Sequence, residues 1–465
     1  MKPAVPHLCP LSILGFILFV MAGCATVKTP VAPVPDESGA YYDWTVTGQP
    51  ERPYIHNYDQ TFVMKIKLAD KLPGEKSHVY LRCDQALGVI RRIDNLTCGV
   101  PKIVYLVGWQ YNGHDSKYPA WGEVNPGIKH PQDATALDSL KWLMAEGCKY
   151  HTTISLHINM MDAYQDSPLW DEYLRDDVIA KDTNGVPIKA AVWPKGIKVD
   201  AGTQSYNISY AREWELGLAQ ERIDGLLAML PIQKAGTIHI GAFHTIPPTR
   251  RAAKSISPYL GYSLQQEAAA QRKIYRYFRD HGVDVTSEKS SMYRIDPFIG
   301  LQPMAYGFTP VGTNVPPSLY CGTAMGSMEG MILKDARMPG LTEQFCTRFL
   351  PWCLAHTDSP LKGSQKMIET PQTVLIGGEN ILTGDDICMP ALWMDHALIA
   401  YSKNGYSAEH WNLPPGWETV RNVKVSALTQ EGPKEYDELP VKNGALTLSL
   451  QPDEGVLIEP ADVQN

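Results

Sequence analysis

Apolar and polar residues alternate with a period of two over Thr61–Leu68 and again over His78–Cys83, with Pro73-Gly74 between them as a turn. Period two puts successive side chains on opposite faces of a strand, so residues 41–98 read as a small antiparallel β-domain. The texture changes at Lys102. Ile103–Val107 is apolar throughout, as a strand covered on both faces requires, and from there strand and helix patterns take turns. Asp133–Glu146, Ala211–Leu230 and Ser263–His281 carry helical spacing, with Gly147 and Gly282 as stops after the first and last. Thr152–Ile158, Thr237–Ile240, Val283–Thr286 and Ile299–Gln302 read as strands. Repeated βα units predict an α/β fold of the (β/α)8 TIM-barrel type over residues 99–400, with functional residues just after the strand ends. A doubly wound sheet is the alternative, disfavoured because no phosphate-binding glycine fingerprint follows the first strand. Period two returns in Val423–Leu428, Ala445–Leu450 and Gly455–Pro460, predicting a β-sandwich-like domain over 401–465.

The first residues follow none of these patterns. Lys2, the apolar run Leu11–Met21 and Ala22-Gly23-Cys24 make residues 1–23 a signal peptide of lipoprotein type, too short for a comfortable permanent span. The resemblance of Met21–Cys24 to a bacterial lipobox implies cleavage before Cys24 and lipidation of its thiol, hence a membrane anchor. A plain secretory signal with an incidental Cys24 is the alternative. Residues 24–40 then read as a Pro-rich tether, and Ala25 after the cysteine favours the outer membrane or cell surface. Seven cysteines follow Cys24 with no CxxC pair, so no zinc site is visible. Cys83 and Cys98 are placed to bridge, or to remain as buried thiols. The net charge of −8 and the lack of a basic stripe argue against a nucleic-acid partner.

Candidate chemistry gathers where Val107 opens into Gly108–Tyr118. Trp109, Gln110, His114 and Asp115 combine flat rings with paired donors and acceptors, which suits a sugar. His157 and Asn159, at the end of the next strand, are further ligands for hydroxyls, although strand ends also use Asn to close turns. Glycoside hydrolysis needs two carboxyl groups across the scissile bond. Glu288, ending Val283–Glu288, is the candidate acid/base. The strand Thr237–Ile240 runs into Gly241-Ala242-Phe243-His244 and offers no carboxylate, with His244 read as a pocket residue. The reading calls for no cofactor and no metal.

In order along the chain, these segments resemble the endo-α-N-acetylgalactosaminidases of glycoside hydrolase family 101. The resemblance rests on Val107–Pro119 with its Gly-His-Asp-Ser core, Leu156–Asn159, Ile238–His244, Val283–Glu288 and Tyr401–Trp417. It implies a retaining enzyme that releases Gal-β1,3-GalNAc from Ser or Thr of mucin-type glycoproteins. His114, Asp115 and Asn159 would then hold sugar, and Glu288 would be the acid/base. The family nucleophile, an Asp, aligns with Gly241, which leaves catalysis impaired or relocated, with Asp115 as a candidate replacement. Two further readings stand beside this one: a non-catalytic O-glycan-binding lipoprotein, and a hydrolase of another α-galactoside.

Overall fold

The structure, a computed structural model, describes residues 44–193, 203–243, 255–288, 298–306, 319–320, 332–333, 337–338, 340–356, 375–376, 379–380, 382–383 and 386–461. The expected leader, the expected tether with Cys24, and His244 lie outside the described residues.

Seven strands form one sheet: β1 (Phe62–Lys67), β2 (Lys102–Val107), β3 (Thr152–Asn159), β4 (Thr237–Gly241), β5 (Asp284–Glu288), β6 (Ala305–Tyr306) and β7 (Ile332–Leu333). Their order is β7-β1-β2-β3-β4-β5-β6, and every neighbouring pair is parallel. Consecutive parallel neighbours need crossovers, which carry helices α1 (Cys83–Leu96), α2 (Ala136–Glu146), α3 (Leu218–Met229) and α4 (Leu264–Asp280). Among the described residues β6 and β7 do not pair with each other, so the architecture established is a mixed α/β fold of one parallel sheet with antiparallel sheets.

Local sequence explains the helix ends. Ser263 caps α4 by accepting from Gln266 N while the Gln266 side chain returns to the cap, and Thr135 and Asp138 do the same for α2. The single helix expected over Ala211–Leu230 is two, Tyr210–Glu215 and α3, divided at Gly217 with φ +79°. Ile299 and Gln302 form only an isolated bridge with each other rather than a strand.

The expected antiparallel domain over 41–98 is not what forms. Its first alternating segment is β1, paired in parallel with β2 over six residues. Only Ala69–Leu72 and Lys76–Val79 make an antiparallel hairpin there, and Cys83–Leu96 is α1. Lys65 misled the assignment, because its polar side chain is buried against an acid rather than exposed to water. The helical signal of α1 was present in Ala86, Val89, Ile90 and Ile93, all buried at i, i+3, i+4 and i+7. Cys83 and Cys98 are both free thiols, not a bridge.

Towards the C-terminus a six-stranded antiparallel sheet runs in the order Leu382–Thr383, Asp386–Pro390, Leu398–Ser402, Glu454–Pro460, Asn422–Ala427, Lys434–Pro440. Tyr406–Asn412 pairs separately with Ala445–Leu450. These strands share a core of Leu398, Trp417, Val423, Val425, Leu446, Leu448, Val456 and Ile458, distinct from the main core around the parallel sheet.

Candidate active site

A parallel sheet buried on both faces is ordinarily apolar on both. Here one row of alternate positions is polar and buried: Lys65 on β1, Ser155 and His157 on β3, Thr237 and His239 on β4, Asp284 and Thr286 on β5. The residues between them, such as Ile66, Ile154, Leu156, Ile238, Ile240 and Val285, make the other face mainly apolar. Register then decides which polar groups meet. His157 lies opposite His239, and His239 opposite Thr286, so Glu288 sits two residues beyond at the carboxyl end of β5. Tyr105, His239, His157 and His114 form a continuous row, with successive ring centroids 5.2, 5.2 and 5.5 Å apart.

Glu288 is the electrostatic centre. Lys65 Nζ donates to its Oε1 at 2.8 Å, Ala242 N donates to its Oε2 at 3.1 Å, and His239 Nε2 is 4.0 Å from Oε1. Burial pushes the Glu288 carboxyl up, but the Lys65 ammonium, joined by a smaller pull from His239 and His157, more than offsets it and holds the group well below the usual carboxylate range. Burial, reinforced by Lys65, pushes His239 down to about 4 and His157 well below its ordinary value, so both imidazoles are neutral at neutral pH. Glu288 is therefore a carboxylate before any substrate arrives, which does not fit the proton-donor role expected of it.

The loop after β2 brings a second carboxyl. A Cβ at Gly108 would lie 1.9 Å from the Ala69 carbonyl oxygen, so only glycine lets the chain fold back onto the hairpin. His114 N then donates to Ala69 O at 3.0 Å, and Asp115 follows in a left-handed conformation with φ +57°. The Asp115 Oδ1 is 3.5 Å from His114 Nε2. Burial raises the Asp115 carboxyl against the pull of His114 and Lys67, and the Glu288 charge raises it further. Asp162, beyond β3, is pushed up to about 7 by burial and by the Asp115 charge.

Four of the expected site residues are brought together and three are not. His114, Asp115, His157 and Glu288 meet. Trp109 is wholly buried and donates its Nε1 to His157 O at 3.0 Å, so it is a support rather than a stacking platform. Gln110 is buried with its Nε2 on Tyr118 Oη at 3.0 Å. Asn159 closes a turn: its Oδ1 accepts from Met161 N and Asp162 N, and its Nδ2 donates to Asp162 Oδ2. Sequence reading missed Lys65 and His239 as site residues; their common signal is a polar residue at period two within a strand otherwise apolar. Gly241 holds no open space for a nucleophile, since a Cβ there would lie 2.5 Å from His157 Nε2.

A cavity of about 470 Å³ opens elsewhere, between the same loop and α3, lined among others by Tyr111, Trp121, Tyr173, Glu221 and Arg222. The Arg222 guanidinium stacks 4.3 Å over the Trp121 ring. None of Glu288, His157 and His239 lines it.

Residues 67–295 match the family model for glycoside hydrolase family 101, endo-alpha-N-acetylgalactosaminidase. Over this span the chain is similar to the glycoside hydrolase domain of family 101. No curated protein matches the chain. Among solved structures, the chain is similar to the ligand-free alpha-N-acetylgalactosaminidase NagBb from Bifidobacterium bifidum, with 11% identity, a TM-score of 0.45, and coverage of 70% of this chain and 57% of that one. A GalNAc complex of the same enzyme gives 12% identity, a TM-score of 0.42, and coverage of 57% and 41%. The GH36 alpha-galactosidase AgaA from Geobacillus stearothermophilus gives 13%, 0.39, and 86% and 55%. The chain thus spans from 41% to 57% of the length of these solved structures. The family-101 span takes in the loop after β2, β3, β4 and β5, and so all of the site's side chains but Lys65.

Proposed function

We propose that this chain acts as a glycoside hydrolase on mucin-type O-glycans carrying Gal-β1,3-GalNAc on Ser or Thr, with the carboxyl roles exchanged relative to the family expectation. Glu288 works in its ionised form as base or nucleophile, and Asp115 carries the proton. The observation behind this reading is a pair of carboxyl groups within reach of each other's charge, one held ionised by Lys65 and the other pushed towards its neutral form by burial. Opposed shifts of this kind are how one site supplies acid and base at a single pH. The seven parallel strands are read as the arc of a (β/α)8 barrel, with sugar entering at the carboxyl ends beside His114. Cys24 is read as the lipid-bearing residue that holds the domain at the cell surface.

The decisive assay incubates the chain with an aryl α-glycoside of Gal-β1,3-GalNAc. Turnover is expected, falling by roughly a hundredfold or more in Glu288→Gln and in Asp115→Asn. Turnover unchanged in Asp115→Asn would end the exchanged assignment. A second reading, a glycan-binding protein without turnover, draws on the His157 ring filling the space beside Gly241. Disaccharide binding with no release of aglycone would establish it instead. Mass spectrometry of the membrane-fraction protein should find a lipid adduct at the N-terminus, absent in Cys24→Ser.

A further inference from the structure

We propose that His157, His239 and Glu288 together form a binding site for a divalent transition-metal ion, with zinc the best match. One ligand atom from each of the three lies within 4.8 Å of the others. They come from the carboxyl ends of three adjacent strands. Two imidazoles and one carboxylate are a donor set that zinc uses, whereas magnesium and calcium favour oxygen ligands.

The nitrogens are also poised for it. His157 and His239 are 4% and 3% exposed, and His157 Nδ1 and His239 Nε2 are buried with no hydrogen-bond partner. The orphaned His239 Nε2, 4.0 Å from Glu288 Oε1, is costly to leave unpaired, and a metal would satisfy it. Behind the ligands, His239 Nδ1 is 2.9 Å from Thr286 Oγ1, whose hydroxyl donates to Ile238 O at 3.4 Å. Thr286 therefore accepts the Nδ1 proton and leaves the Nε2 lone pair facing Glu288, the outer hydrogen bond that metal-binding histidines carry. Ala242 N orients the carboxylate from the other side. Tetrahedral zinc ligands stand about 3.3 Å apart, so the present spacing closes with side-chain shifts of about 1 Å.

Lys65 is the competitor. Its ammonium supplies the counter-charge to Glu288 that a cation would otherwise supply, and the two cannot share Oε1 without repulsion. Removing that charge should therefore strengthen metal binding, whereas removing a ligand should weaken it. The residues stand far apart in sequence, each alone on its strand, which is why no ligand spacing announced them.

The full chain, stripped with EDTA and desalted, is titrated with zinc by calorimetry and with cobalt(II) by absorption. One equivalent is expected, with the visible bands of four-coordinate cobalt and without the near-ultraviolet thiolate charge-transfer band that cysteine ligands would give. His157→Ala should weaken binding at least about a hundredfold, and Lys65→Met should tighten it about tenfold. A misfolded variant could mimic the first result but not the second. No stoichiometric binding, a thiolate band, wild-type affinity in His157→Ala, or unchanged or weaker affinity in Lys65→Met would each overturn the proposal. Binding is read directly, so the outcome is separate from whether the disaccharide is cleaved.

Discussion

The C-terminal antiparallel strands and the parallel sheet use alternation for opposite ends. In Ala445–Leu450, Leu446, Leu448 and Leu450 are buried while Thr447 and Ser449 face water, so the polar row is solvated without cost to the fold. In the parallel sheet the polar row has no water to face, and each of its groups must be satisfied inside. At the amino ends this is achieved: Tyr58 Oη and Tyr105 Oη both lie 2.7 Å from Thr237 Oγ1, and Asp284 accepts from Ile55 N at 2.8 Å and pairs with Arg279. At the carboxyl ends it is not, because nitrogens of His157 and His239 remain unpaired. Buried polarity alone therefore does not mark the working end of the strands. On this row the unpaired imidazole nitrogens do.

The contrast can be broken most severely at Glu288. Replacing it with Gln removes the carboxylate that Lys65, 4% exposed at the side chain, pairs with at 2.8 Å. The expected cost is about 3 kcal/mol in urea unfolding, and a loss under about 1 kcal/mol would mean that Lys65 is balanced by other groups. Next is Asp162, pushed up to about 7 in the folded chain. An unfolded Asp releases its proton near pH 4, so between roughly pH 4 and 7 the folded state binds the extra proton and stability falls as pH rises. From pH 5 to 7 the wild type should lose on the order of 2 kcal/mol more than Asp162→Asn; parallel pH profiles would show that the carboxyl is ionised throughout. Gly241→Ala drives a methyl into the His157 ring and should cost about 1–2 kcal/mol, a penalty that disappears in a His157→Ala background. If the cost persists in that background, backbone rather than the ring sets it. The smallest effect belongs to the solvated row of the antiparallel sheet. Lys424→Ala removes an exposed 3.8 Å contact with Glu435 and should move the unfolding midpoint by less than about 0.5 kcal/mol in free energy.

Much of the scaffold was legible because its signals are local. Ser263 and Thr135 announce helix starts, and the uniform apolarity of Ile103–Val107 announces a strand covered on both sides. The error at β1 arose because a lysine at period two looks alike whether it faces solvent or a buried acid more than two hundred residues away. Within the site, Glu288 and the His114-Asp115 pair were readable from their positions after strands. Their protonation was not, since it depends on Lys65 and on burial, neither of which leaves a mark near Glu288 in the chain. Trp109, Gln110 and Asn159 have the right chemistry for a sugar but turn inward to hold the loop and the β3 turn. Residue type shows what a side chain can bind, and only packing shows what it already has bound.

The ring of His157 resting in the space beside Gly241 makes those two positions one character rather than two. An aspartate restored at 241 alone meets the imidazole, and an alanine at 157 alone leaves a hole beneath the site. Either single step away from the present pair loses fitness to fold before it gains anything in chemistry. A carboxylate can enter at 241 only together with a smaller or displaced side chain at 157.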